Sequence, residues 1–173
     1  MDEIIKTQEY LNYIKEHCDN VQKSWELIQE KCQDKTFDFL IDDFKYFTLD
    51  SNIKRHDVSK LSTAEFVPYR RKFFPTDQEK ENHKAEIDVY FNLAWEHHKA
   101  KNNHHWENWT AKENVGAYPH DTTYVVHNIC DWMAMGMKFG DTAKSYYEKN
   151  KGKIILPQWS IDFMYEIFDC IYV

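Results

Sequence analysis

Glycine and proline are scarce in this chain of 173 residues, with four of each. A many-stranded sheet needs a turn residue every few positions, so the scarcity favours few, long elements, and therefore helices. Cysteine is equally sparse. Cys18, Cys32, Cys130 and Cys170 show no C-x-x-C spacing and no dense framework, which argues against a disulfide scaffold. The opening MDEIIKTQEY lacks a signal-peptide pattern, so reduced thiols and a cytoplasmic setting are expected, with Cys18 and Cys130 as small core residues. No apolar run approaches the roughly 18 residues that span a bilayer, so no membrane partner is expected. Positive charge is short too: 22 Lys and Arg against 29 Asp and Glu leave a net charge of −7. Binding a duplex phosphate backbone requires neutralising cations, so duplex nucleic acid is excluded as a partner. A small phosphorylated ligand stays admissible, because a bound metal reverses the local charge.

What is present is a core. The hydrophobic fraction is 42% and the aromatic fraction 16%, enough for one folded domain over residues 1–173. From Glu3 to about Lys31, Ile4, Leu11, Ile14, Cys18, Val21, Trp25 and Ile28 recur mostly at steps of three and four. That spacing predicts one long helix with a buried face, and His17 lies on the same face. Residues 37–55 predict a short helix running toward His56-Asp57. Ser62 to Glu65 reads as a capping box for a helix through Phe66, Tyr69 and Phe73, kinked or broken at Pro68. Thr76 to Glu79 is a second box, opening a helix to about His105 with Ile87, Phe91, Ala94, His98 and His105 inward. Residues 107–120, with Gly116 and Pro119, predict a loop. Asp121 is a cap for a helix from Thr122 to about Phe139, apolar nearly all round and ended by Gly140-Asp141. Two further helices are predicted, one to about Lys149 and one from Pro157 through Ile171. The fold class is all-α, a bundle of about six or seven helices.

Histidine and aspartate carry the chemistry. His17, His56-Asp57, the cluster His97, His98, His104 and His105, and Asp131 are the ligand types of divalent transition metals. His98 and His105 are seven steps apart, and at 100° per residue they return to within about 20° of one direction; His97 and His104 form a parallel row about 100° away. An ionised Asp131 inside an apolar helix is costly unless paired or metal-bound. His127, four residues earlier on the same side, reads as a further ligand or as a partner orienting Asp131. His120-Asp121 reads as a cap, and His83 as an exposed residue. His17, His56, Asp57 and Asp131 would hold one ion; His98 and His105 would complete a second, with Asp57 bridging. The expected cofactor is therefore one or two ions of Mn, Fe, Co, Ni or Zn. Two cations roughly 3.5–4 Å apart activate a shared water and neutralise a phosphoryl oxygen.

The order His17, His56-Asp57, Asp131 in a helical chain resembles the HD-domain superfamily of metal-dependent phosphohydrolases. HDVSK at 56–60 is similar to the His-Asp-x-x-Lys variant seen in cyclic-dinucleotide phosphodiesterases and in di-iron oxygenases such as inositol oxygenase. HDVSKLSTAEFVPYRRKFF, AWEHHKAKNNHHWENW, CDWMAMGMKFG and YYEKNKGKIIL are similar, over most of the chain, to a family of bacteria and phages with HDxSK and HHxxxNxHHW motifs. The resemblance implies an HD-domain-like bundle, with metal roles for His17, His56, Asp57 and Asp131. His98 and His105 match the extra histidines of the dinuclear subgroup, although they lie closer together here. The Gly-Tyr-Pro signature of the cyclic-dinucleotide enzymes is absent, and Lys60 stands where some nucleotidase members carry an acid.

Hydrolysis of a nucleotide or other small phosphoester is the expected activity, with Asp57 and Lys60 as catalytic residues. Lys60, Arg70, Arg71, His104, Trp106 and Lys149 are the expected substrate contacts, and Trp106, Trp109 and Trp132 could wall a pocket or fill the core. Two alternatives are a di-iron oxygenase on the same scaffold and a non-catalytic, metal-containing nucleotide-binding or interaction protein. The amphipathic first helix leaves a homodimer open.

Overall fold

The apolar periodicity of the first thirty residues is realised as a single helix, α1, spanning Asp2–Lys31 in a computed structural model that describes residues 1–114 and 120–172. Its buried face reads Tyr10, Ile14, His17, Val21, Trp25 and Ile28. The expected stripe is thus displaced at its start: Ile4 and Leu11 are exposed and Tyr10 takes their place. The tyrosine ring packs 5.3 Å from Phe66 and 5.9 Å from Phe74, an aromatic burial the aliphatic positions could not match.

Nine more helices follow among the described residues, with no strand. They are α2 (Asp38–Ile41), α3 (Asp43–Lys54), α4 (Phe66–Phe73), α5 (Asp77–Asn82), α6 (Lys84–Lys101), α7 (Trp106–Asn114), α8 (Thr122–Phe139), α9 (Ala143–Asn150) and α10 (Gln158–Ile171). A 3-10 turn covers Val58–Leu61. The all-helical class holds, but the count exceeds six or seven, because two expected helices are each split by a local break and α7 forms where a loop was expected. Asp42 leaves helical geometry and caps α3 by accepting from the Lys45 amide. His83, at φ −130° and ψ 14°, divides α5 from α6 without a side-chain cap.

Three local expectations fail for identifiable reasons. Ser62 and Glu65 form no capping box, because the Glu65 carboxylate bonds two histidine rings and Ser59 instead. Pro68 neither kinks nor breaks α4: it is the third residue of that helix, where no intrahelical partner is required of its missing amide. Residues 106–114 are helical rather than loop; Gly116 and Pro119 lie outside the described residues. The Thr76–Glu79 capping box forms with both reciprocal bonds, and Asp121 caps α8 through the Thr123 amide. Gly140 ends α8 in the left-handed region at φ 72°.

The chain packs as two compact units, Met1–Glu16 with Asp57–Asn102, and His17–His56 with Asn103–Val173. In the first, α4 and α5 pack on α6. Its interior is unusually ionic: Asp57, Glu65, Arg70 and His98 are buried together with Tyr10, Ile14, Tyr69, Ile87 and Ala94. The second unit is built around α8, which touches α2, α3, α7, α9 and α10. Its core joins Trp25 and Ile28 of α1 to Phe39, Leu49 and Ile53, to Val126, Ile129 and Met133 of α8, and to Met164, Ile167 and Phe168 of α10. Among the described residues, no helix is long and apolar enough to cross a membrane.

Candidate metal centre

α8 carries the second unit's polar exceptions. His127 and Asp131 stand four residues apart, one turn on one face, in a helix otherwise lined by Val, Ile, Met and Trp. α1 brings His17, and His56 follows immediately after α3, whose last turn is closed by the His56 amide bonding the Ile53 carbonyl. His104 lies in the turn before α7. All four histidines are buried.

The donor atoms converge. His17 Nε2 is 2.9 Å from His56 Nε2 and 3.0 Å from Asp131 Oδ1, and His56 Nε2 is 3.6 Å from the same oxygen. The circle through three such points has a radius of about 1.9 Å, shorter than a metal–nitrogen bond of ~2.1 Å, so His17, His56 and Asp131 could together hold one ion. The opposite edge of the His56 ring is engaged as well, with Nδ1 3.0 Å from His127 Nε2. His104 packs its ring 4.2 Å from that of His56 and 4.7 Å from that of His127. One ring nitrogen from each of His56, His104 and His127 falls within 4.8 Å of the others. This buried His/Asp cluster could hold a metal ion.

Proton accounting points the same way. A neutral imidazole has one donor and one acceptor. The His56–His127 contact uses one proton, and the His17–His56 contact can use only one more. Charging several of these buried rings is expensive without a counter-ion. Asp131 is the carboxylate that the second unit itself brings to the cluster. Burial pushes its pKa up, but the hydrogen bond from His17 and the charges of His17, His56 and His104 outweigh that and hold it well below the usual carboxylate range. An ionised carboxylate 3.0 and 3.6 Å from two imidazole nitrogens is a donor set that could hold a cation.

The first unit holds a second polar network. Asp57 sits at φ 58°, a strained left-handed backbone that Asp tolerates better than most residues. Its Oδ2 accepts from Lys60 Nζ at 2.5 Å, and its Oδ1 is 3.2 Å from His98 Nε2. The other face of His98 is held by Glu65, whose Oε2 lies 2.8 Å from Nδ1, with Ser59 and Asn102 at 3.1 Å. Glu65 Oε1 also bonds His97 Nδ1 at 2.7 Å. Burial lowers the pKa of His98, yet the bonds to Asp57 and Glu65 outweigh this and raise it overall.

The residues singled out from sequence are therefore distributed unevenly. His17, His56 and Asp131 come together in the second unit, and Asp57, Lys60 and His98 in the first. His105 does not continue the His98 row, because α6 ends at Lys101 and Asn102 turns extended at φ −116° and ψ 111°; it lies half-buried, its ring 4.4 Å from His104. His104, expected at the substrate, belongs to the histidine cluster. His127 meets His56 rather than orienting Asp131. Arg70, Arg71 and Lys149 are not open anion contacts. Arg70 forms a two-pronged pair with Glu79 at 2.6 and 2.8 Å, Arg71 bridges Glu79 and Glu86, and Lys149 pairs with Asp141. Trp106 is half-buried against the core of the second unit, as are the more deeply buried Trp109 and Trp132. Glu65, Ser59 and Asn102 were not anticipated; the only local signal was that the capping-box glutamate faced a downstream pair of histidines.

Residues 6–166 match the family described as "Family of unknown function (DUF5662)", and the chain belongs to that family. No curated protein and no solved structure matches it.

Proposed function

We propose that this DUF5662 chain is a metal-dependent phosphohydrolase that cleaves a nucleotide or other small phosphoester with activated water. The triangle of His17 Nε2, His56 Nε2 and Asp131 Oδ1, with edges of 2.9, 3.0 and 3.6 Å, carries the proposal. Three N/O donors leave coordination positions for water and substrate, as hydrolytic centres require. A divalent ion bound there brings the pKa of water down toward about 7 and neutralises phosphoryl charge.

The chain's own residues supply the rest. Asp131, held ionised, balances the positive charge. His127, at 3.0 Å from His56 Nδ1, locks the His56 ring and directs its Nε2 toward His17 and Asp131. His104, packed against both rings, serves as general acid to the departing oxygen.

The test is elemental analysis of the purified protein, then phosphate and nucleoside release with Mn2+, Fe2+, Co2+, Ni2+ or Zn2+ added. The substrates are nucleoside mono-, di- and triphosphates and cyclic nucleotides. Metal retention with release of phosphate from one class is expected. No release under any of these ions, or a nucleotide bound tightly and recovered unchanged, would overturn the catalytic reading.

A further inference from the structure

The first unit keeps two buried tyrosine hydroxyls that lack a hydrogen-bond partner, those of Tyr10 and Tyr69, whose residues are 1% and 5% exposed. Leaving a buried O–H unbonded forfeits its hydration with nothing in exchange, and native proteins leave only a few such groups. Both belong to the first unit, and both feel the charges of Asp57 and Glu65. Tyr10 packs on Phe66, and Tyr69 is three residues further along the same helix, α4. The Tyr69 ring lies 5.7 Å from His98, and Lys60 Nζ is 5.4 Å from its centre.

Both phenols are firmly protonated. Burial first, then the charges of Asp57 and Glu65, raise their pKa beyond the ordinary range, so each offers a hydrogen rather than a negative charge. The nearby carboxylates are already engaged: Glu65 by His97, His98 and Ser59, and Asp57 by Lys60 and His98. What the phenols lack is an acceptor. Donors drawn from α1, α4 and the 3-10 turn suit oxygens pointing in several directions, as on a tetrahedral anion, better than the two in-plane oxygens of a carboxylate.

We propose that the hydroxyls of Tyr10 and Tyr69, with the ammonium of Lys60, form a binding site for a phosphoryl group. Every residue involved belongs to the first unit, so the proposal does not rest on the metal-centre reading. A free phosphate and a phosphomonoester present the same oxygens, and the experiment separates them.

The whole chain, as purified and after EDTA treatment, is titrated calorimetrically with inorganic phosphate, methyl phosphate and acetate. Phosphate or methyl phosphate binds in both preparations, and whichever binds more tightly identifies the source; acetate binds far more weakly. Tyr10→Phe and Tyr69→Phe each weaken phosphate about tenfold and the double variant about a hundredfold, as expected for hydrogen bonds to a charged acceptor. Metal content stays at the wild-type level, which distinguishes failure here from failure at the histidine centre. Without phosphate, the phenylalanine variants melt no lower than wild type, since the oxygen removed had no partner. The proposal is overturned by absent phosphate binding, by unchanged affinity in the double variant, by acetate binding equally well, or by phosphate-free variants melting several degrees lower. Should the double variant not fold, Tyr69→Phe alone decides the matter.

Discussion

Replacing Asp131 with asparagine removes one negative charge from the histidine centre while keeping the side chain's shape. Wild-type protein with a divalent ion at a hundred times its dissociation constant gains about 2.7 kcal/mol of stability by mass action. Unfolding entropy of about 2.1 cal/mol/K per residue gives this 173-residue chain roughly 0.36 kcal/mol/K. The melting temperature should therefore rise by about 7 °C. Losing a partner that merely orients a metal ligand costs up to about 100-fold in affinity, so losing the Asp131 carboxylate, itself a donor, costs at least as much. At the same ion concentration the Asp131→Asn protein is then at most half-occupied, gains about 0.4 kcal/mol, and shifts by about 1 °C. Each protein is measured against its own metal-free form by differential scanning calorimetry, so the substitution's effect on the empty fold cancels. An Asp131→Asn protein that shifts as far as wild type refutes the ligand assignment. So does a wild type that shifts with none of Mn2+, Fe2+, Co2+, Ni2+ and Zn2+.

Gly136→Ala should cost about 2–3 kcal/mol by chemical denaturation, because the added Cβ would stand 2.4 Å from the Asp141 carbonyl oxygen and 3.0 Å from its carbon, backbone atoms that no rotamer change can move aside. Gly140→Ala meets open space at φ 72° and should cost only about 1 kcal/mol, so the reverse order would contradict the packing described for α8. Burial alone would raise the Glu79 carboxyl, but Arg70 and the Thr76 amide hold it down to about 2 from 4.5. A carboxylate depressed in this way stabilises the fold above pH 4.5, and that contribution is lost as the pH falls from 4.5 through about 2. The shift corresponds to at most about 3.4 kcal/mol, which solvent screening at the partly exposed Glu79 reduces to about 1–2 kcal/mol. Glu79→Gln should flatten acid unfolding monitored by circular dichroism over that window, and an unchanged acid limb would sink the assignment. Asp121→Ala removes the cap of α8 and should lower stability by about 1 kcal/mol in a urea titration; no change would mean that the Thr123 amide finds another acceptor.

The elements read correctly from sequence are those whose signal is local. α8 begins and ends as expected because an aspartate cap, an unbroken apolar stretch and a glycine stop act within a few residues of one another. The Thr76 box works because its partner is three residues away. The Ser62 box has the same pattern but fails, since Glu65 is captured by His97 and His98 more than thirty residues downstream. No local rule contains that competition. The His98–His105 row fails through one residue: rotation by 100° per step assumes an unbroken helix, and Asn102 breaks it. Its side chain instead turns back to bond the His98 carbonyl at 2.7 Å and the Ser59 hydroxyl at 2.8 Å.

The histidine centre was legible in part because a buried polar residue in an apolar setting carries a cost that must be recovered. Asp131 announces itself inside α8 by that reasoning, and His17 by sharing a face with Ile14 and Val21. His127 and His104 carried weaker signals, since their partner is His56 and nothing in their own neighbourhood specifies it. Once the four imidazoles are gathered, however, their number becomes informative. Two imidazole–imidazole contacts meet at His56, at 2.9 and 3.0 Å, and each holds a single proton. Apolar side chains of similar volume would fill this space more cheaply, as they do along the rest of α8. Four buried histidines with an ionised carboxylate form a poor core, and a cation could turn them into a stable one.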